Sequence, residues 1–95
     1  MNIRFYIDPE SGAPHIYRHG VDEKEVQDVL SNPGEDRPGR EGSRVVIGRT
    51  RVGRYLRVVY AADLQDDALF VITAFELTGK PLTAYRRRHR RARGR

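Results

Sequence analysis

Between Arg44 and Phe75 the chain carries three runs of β-branched and aromatic residues, joined by connections short enough for hairpins. This restricts the fold more than any other feature, because short links favour antiparallel neighbours. The first run is Arg44 to Arg51, and Val52-Gly53-Arg54 makes the turn. The second is Tyr55 to Ala61, followed by an acidic turn from Asp63 to Asp67. The third, Leu69 to Phe75, is apolar on both faces, which suits a central position. With a period of two, Val45, Ile47, Arg49 and Arg51 share one face of the first strand. Tyr55, Arg57, Val59 and Ala61 share one face of the second. A strand alternating apolar residues with arginine turns one side to a core and the other to solvent. Arg49 and Arg57 are therefore expected near each other on an open face.

The N-terminal half adds one strand and one helix. Ile3 to Ile7 alternates and is rich in β formers, and Asp8 to Gly12 is turn chemistry. His15 to Arg18 reads as a short strand or an extended connection. A helix then starts at Asp22, which can cap free N–H groups, with Glu25 three residues on as in a capping box and Val21 and Val26 as a hydrophobic staple. Asn32-Pro33-Gly34 ends it. Glu35 to Gly42, charged and holding Pro38, Gly39 and Gly42, is expected to be a mobile loop. Thr78 to Pro81 opens a terminal helix, with proline suited to its first turn. Leu82, Tyr85 and His89 fall on one stripe of that helix.

The expected fold class is α+β: a small antiparallel sheet, a short helix in the N-terminal half and a basic C-terminal helix. One sheet face packs on the helices and the other is left for function. Residues 1–91 form a single domain and 92–95 a disordered basic tail.

Ninety-five residues, 38% hydrophobic and 33% charged, give one thin core. There are no cysteines, so disulfides, thiolate metal sites and a cysteine nucleophile are excluded together. Small secreted domains usually need disulfide staples, so a cytoplasmic location is expected. No apolar run approaches the roughly 18 residues of a membrane span, and Met1 to Ile7 does not read as a signal peptide.

Charge is segregated along the chain. Lys80 to Arg95 holds eight basic residues and no acid, whereas residues 1–79 hold ten basic residues against thirteen acids. Sixteen of the eighteen basic residues are arginine, whose planar fork of donors matches phosphate. A codon bias would account for the ratio but not for the clustering. The terminal helix shows arginine around most of its circumference, so its best physical use is contact with nucleic-acid phosphates. A solvated tail and an acidic protein partner are the competing readings.

Candidates for proton transfer are few. Histidine is the side-chain type suited to proton transfer near neutrality, and the chain holds His15, His19 and His89; Glu76 ends the third run and Tyr85 lies on the terminal helix. No metal spacing, phosphate loop or nucleophile elbow is present, so no metal and no cofactor is expected. Arginines, a base and a tyrosine are enough to cut RNA. The 2′-hydroxyl is the nucleophile, and the protein need only align it, take its proton, neutralise the phosphorane and protonate the leaving oxygen.

A family resemblance rests on motifs spread through the chain. Arg18-His19-Gly20-Val21, then Glu25-Val26 and Val29-Leu30-Ser31-Asn32-Pro33, resembles the "KHGVSFEEA…VFxDP" opening of BrnT-type toxins. Ile47-Gly48-Arg49-Thr50 with Arg57-Val58-Val59-Tyr60 resembles their "IGxT…lxVVYT" hairpin, and Val71-Ile72-Thr73-Ala74 with Glu76 and Tyr85 resembles "RIISAR…Y". The chain is also similar to the related DUF4258 group. The resemblance implies a RelE/ParE-like fold, metal-independent ribonuclease activity that inhibits translation, and a ribbon-helix-helix antitoxin as partner. It carries over His19, Arg49 or Thr50, Glu76 and Tyr85. Phe75 stands where the "ISAR" motif has arginine, and Arg86 or Arg87 could substitute for it.

The expected function is that of a toxin-like endoribonuclease. His19, Arg49, Glu76 and Tyr85 would carry catalysis, and Arg51, Arg57, Arg86, Arg87 and Arg90 would bind RNA. The alternatives are a non-catalytic nucleic-acid-binding module on the same fold and a protein-interaction module.

Overall fold

The computed structural model describes residues 2–63 and 67–93, with side chains in the terminal helix described up to His89. The elements run β1 (Asn2–Phe5), a 3-10 helix (His15–His19), α1 (Glu23–Ser31), β2 (Pro33–Pro38), a 3-10 turn (Arg40–Gly42), β3 (Arg44–Arg49), β4 (Tyr55–Asp63), β5 (Ala68–Glu76) and α2 (Gly79–Arg93). Five strands form one sheet in the order β1-β5-β4-β3-β2.

The β3-β4-β5 meander is as expected, with Val46 opposite Val58 and Val58 opposite Ala74. Three expectations are corrected. The sheet is mixed rather than antiparallel, because β1 pairs with β5 in parallel, Asn2 opposite Ala68 and Phe5 opposite Val71. The segment expected to be a loop from Glu35 forms β2, an edge strand antiparallel to β3 with an irregularity between Pro33 and Glu35. Prolines at both ends suit an edge, where one side of the strand needs no ladder partner. His15 to Arg18 is helical and not extended.

α1 forms because its ends are satisfied locally. The Asp22 carboxylate accepts from the Glu25 N–H at 2.8 Å, and the Glu25 carboxylate accepts from the Asp22 N–H at 3.1 Å. Val21 and Val26 are both buried, as a staple requires. Val26, Val29 and Leu30 pack with Ile16, Val46, Leu56, Val58, Val71 and Ala74 into the main core. Gly48 lets α1 come close, since a Cβ there would press on Val29 at 3.0 Å.

The helices do not share one face of the sheet. Val46 and Leu56 face the main core, whereas their strand neighbours Ile47 and Tyr55 pack with Leu77, Leu82 and Tyr85 in a second cluster. Strand alternation puts that cluster on the opposite side, so α2 covers part of the face expected to be open. Gly34 makes this docking possible, since a Cβ there would overlap the Tyr85 hydroxyl and stand 3.1 Å from the Ile47 carbonyl. Ala92 and Arg93, expected in a disordered tail, belong to α2, and residues 94–95 of that tail lie outside the described residues.

Candidate functional site

The two faces treat their arginines differently. On the α1 side, Arg54 donates to both Glu25 oxygens at 2.9 and 3.0 Å and to the Gly20 carbonyl at 2.9 Å, and lies 3.3 Å from Glu76. Arg44 donates to Asp36 at 2.8 Å, and Tyr60 donates to the same carboxylate at 3.1 Å. Arg18 is paired with Asp8 and Glu10. Each of these guanidinium groups is spent on structure.

On the α2 side three guanidinium groups rest on rings. Arg49 lies 5.8 Å and Arg86 5.1 Å from the centroid of Tyr55, and Arg57 lies 6.0 Å from that of Phe75. Among the described residues none of the three has a carboxylate within ion-pair distance. A ring orients a guanidinium without cancelling its charge, contributing about 0.5–1 kcal/mol at an exposed site. The same face holds one acid already committed to cations. Glu35 accepts from Arg88 at 2.8 and 3.0 Å and from Arg37 at 3.0 Å, and the Arg88 hydrogen bonds hold its carboxyl below the usual carboxylate range.

Tyr55 is also the hinge of a ring cluster. Tyr85 meets it edge-on at 5.8 Å, and His89 stacks on Tyr85 at 5.6 Å with planes 16° apart. With Asn32, Pro33, Gly34 and Arg49 these rings line a pocket of about 270 Å³. Tyr85 is itself buried, and burial, followed by the charge of Glu35, pushes its phenol above the ordinary tyrosine value. It is therefore a hydrogen-bond donor at neutral pH and not a base. A larger groove of about 600 Å³ runs beside this pocket, between α2 and the β2–β3 end of the sheet, with Arg37, Arg40, Arg57 and Arg88 among its lining.

The site residues expected from sequence separate into groups. Arg49 and Tyr85 meet at the small pocket. Glu76 does not join them: its register partner is Leu56, on the α1 face, and it pairs with Arg54. His19 is also apart, next to Phe75 at 6.0 Å. The alternative to Arg49, Thr50, is buried and structural, since it accepts from the Arg54 N–H at 3.1 Å inside the hairpin turn. Among the expected binding residues, Arg57 and Arg86 lie on the α2 face, although Arg57 reaches toward Phe75 and Arg49 toward Tyr55. Arg51 does not follow the strand alternation, because β3 ends at Arg49; its backbone N–H donates to Asp28 of α1 at 3.2 Å. Arg87 is exposed, and the Arg90 side chain lies outside the described residues.

His89 is the ionisable residue that sequence reasoning left out of the site. Its place on the Leu82-Tyr85 stripe was the available signal. Among the described residues no group of three or more His, Asp or Glu side chains is arranged to hold a metal ion, and no helix is long and apolar enough to cross a membrane.

No curated protein and no solved structure matches the chain. A family profile does match, over residues 15–76, from the 3-10 helix through the last strand. That span is well over half of the sequence and takes in His19, Arg49, Tyr55, Arg57 and Phe75, so the chain belongs to the family described as Domain of unknown function (DUF4258).

Proposed function

We propose that the chain binds RNA across the α2 face and cuts it with the RNA's own 2′-hydroxyl. It would then be a metal-independent endoribonuclease of the BrnT-type, RelE/ParE-like toxin superfamily, inhibiting translation and restrained by a ribbon-helix-helix antitoxin. One observation carries the binding: Arg49, Arg57 and Arg86 are held on rings with their charge unspent. Like charges on one surface are relieved by a polyanion, and releasing its counterions supplies the free energy.

In this reading Arg49 and Arg86, both beside Tyr55, hold the scissile phosphate. His89, at the same pocket, takes the proton in place of His19 and Glu76. The 2′-oxygen bonds to phosphorus as the bond to the 5′-oxygen breaks, and the leaving oxygen takes that proton back from the His89 imidazolium through water, leaving a cyclic phosphate and a 5′-hydroxyl. The Tyr85 phenol hydrogen-bonds the developing negative charge. The protein alone should cut single-stranded RNA and leave DNA of the same sequence intact. Arg49→Ala and His89→Ala should each abolish cutting. Undiminished cutting by either variant would contradict the assignment of roles, and intact RNA with unarrested cell growth would contradict the nuclease.

A second reading, a non-catalytic RNA-binding module, is favoured by two observations. Phe75 stands where the "ISAR" motif of the BrnT-type toxins that the chain resembles has arginine, and the Glu76 carboxylate is held by Arg54. It predicts a salt-dependent gel shift with no cleavage product.

A further inference from the structure

We infer that the chain selects single-stranded over double-stranded RNA, through a row of rings that leads from the α2 face around the end of β5. This rests on the RNA reading and extends it to the form of the substrate. β1 ends at Phe5, opposite Val71, so beyond that point β5 has no strand neighbour on this side among the described residues, and the 3-10 helix His15–His19 lies against it. Four rings follow one another there. Phe75 to His19 is 6.0 Å between centroids, His19 to His15 is 5.3 Å and His15 to Tyr6 is 6.0 Å. Arg57 sits over Phe75 at the head of the row, two residues along β4 from Tyr55. The row thus joins the guanidinium groups of the α2 face to the surface of the 3-10 helix.

These rings are not sealed into the core. Tyr6 is 41% exposed and His19 is exposed, while Phe75 and His15 are half-buried. Their planes are tilted by 59°, 76° and 60°, so none is sandwiched face to face with its neighbour. Asp8, 3.5 Å from His15 Nδ1, is buried and engaged by Arg18 and by the Glu10 N–H, and the neighbouring Glu10 and Glu76 are paired with Arg18 and Arg54, so they present little free negative charge to a phosphate. Aromatic faces interleaved with arginine suit unpaired bases, which stack without regard to sequence. A duplex hides its bases inside the helix and offers phosphates alone, so it can use the arginines but not the rings.

The test measures affinity for a twelve-nucleotide oligouridylate and for a twelve-base-pair RNA duplex at one salt concentration. The parent chain should bind the single strand more tightly. Tyr6→Ala and His19→Ala should each weaken single-strand binding fivefold or more, as loss of one stacked base does, and leave duplex binding unchanged. Thermal melting of each variant identifies any that loses its fold, and Tyr6→Ala, at a site 41% exposed, serves as an arm little coupled to folding. Equal affinity for the two RNA forms, or single-strand affinity unaltered in Tyr6→Ala and His19→Ala, overturns the row. Failure of both RNA forms to bind overturns the RNA reading as well.

Discussion

The α1 and α2 sides of the sheet are built from the same residue types and differ in how much arginine charge they leave unpaired, even though Arg37 and Arg88 on the α2 side are held by Glu35. On the α1 side each of Arg18, Arg44 and Arg54 meets a carboxylate. On the α2 side Arg49, Arg57 and Arg86 meet rings. A guanidinium on a carboxylate adds to stability and hides its charge. A guanidinium on a ring is positioned yet keeps its charge for something else. The sign of the net charge says nothing of this, because what matters is which partner each arginine already has.

The contrast can be broken most severely at its hinge. Gly34→Ala places a methyl group against the Tyr85 hydroxyl. Such overpacking should cost about 3 kcal/mol and undock α2, removing the ring side altogether. Adding Tyr85→Phe should recover about half of that loss by deleting the oxygen in the way. Chemical denaturation of the single and double variants reads both effects.

The carboxylate side is probed at Arg54. Its alanine variant strands Glu25, Glu76 and the Gly20 carbonyl together. The side chain is about one quarter exposed, so water shares the burden and a loss of about 2 kcal/mol is expected, below that of a fully buried pair. RNA affinity should stay within twofold of the parent. The ring side should do the reverse. Arg49→Ala combined with Arg86→Ala should weaken RNA binding roughly thirtyfold at low salt while costing about 1 kcal/mol of stability, because the loss of two exposed ring contacts is partly offset by relief of like-charge repulsion.

Acid gives the smallest expected effect. Asp8 is held below its ordinary value by the Glu10 N–H and by Arg18, against the opposing cost of burial. Glu35 is held low chiefly by Arg88. Depressed carboxyls contribute stability above their unfolded pKa and lose it as pH falls through the folded one. The melting temperature should therefore be flat near neutrality and fall below the ordinary carboxylate range. Asp8→Asn and Glu35→Gln should each flatten that fall.

What could be read in the sequence was what is decided locally. The Asp22–Glu25 capping box, the hairpin at Gly53 and the Pro81 helix start act within a few residues, and the structure has all three. What escaped depends on distant partners. Pro33, Gly34 and Pro38 read as breakers, yet β3 recruits them as an edge strand. Nothing within Asn2–Phe5 announces a parallel partner more than sixty residues away. The site divided in the same way. Arg49, Arg57 and Tyr85 were visible from strand alternation and helix periodicity. Glu76 looked free because its partner, Arg54, lies on a turn 22 residues earlier in the chain. His89 gained its place only when α2 docked on the face opposite α1.

The most direct measurement is the salt dependence of binding to a single-stranded oligoribonucleotide, for the parent chain and for Arg49→Ala/Arg57→Ala/Arg86→Ala. Three ring-held guanidinium groups facing phosphates predict that the slope of log affinity against log salt is shallower by about two in the triple variant, with folding intact. An unchanged slope, or a parent chain with no affinity for RNA even at low salt, would contradict the account.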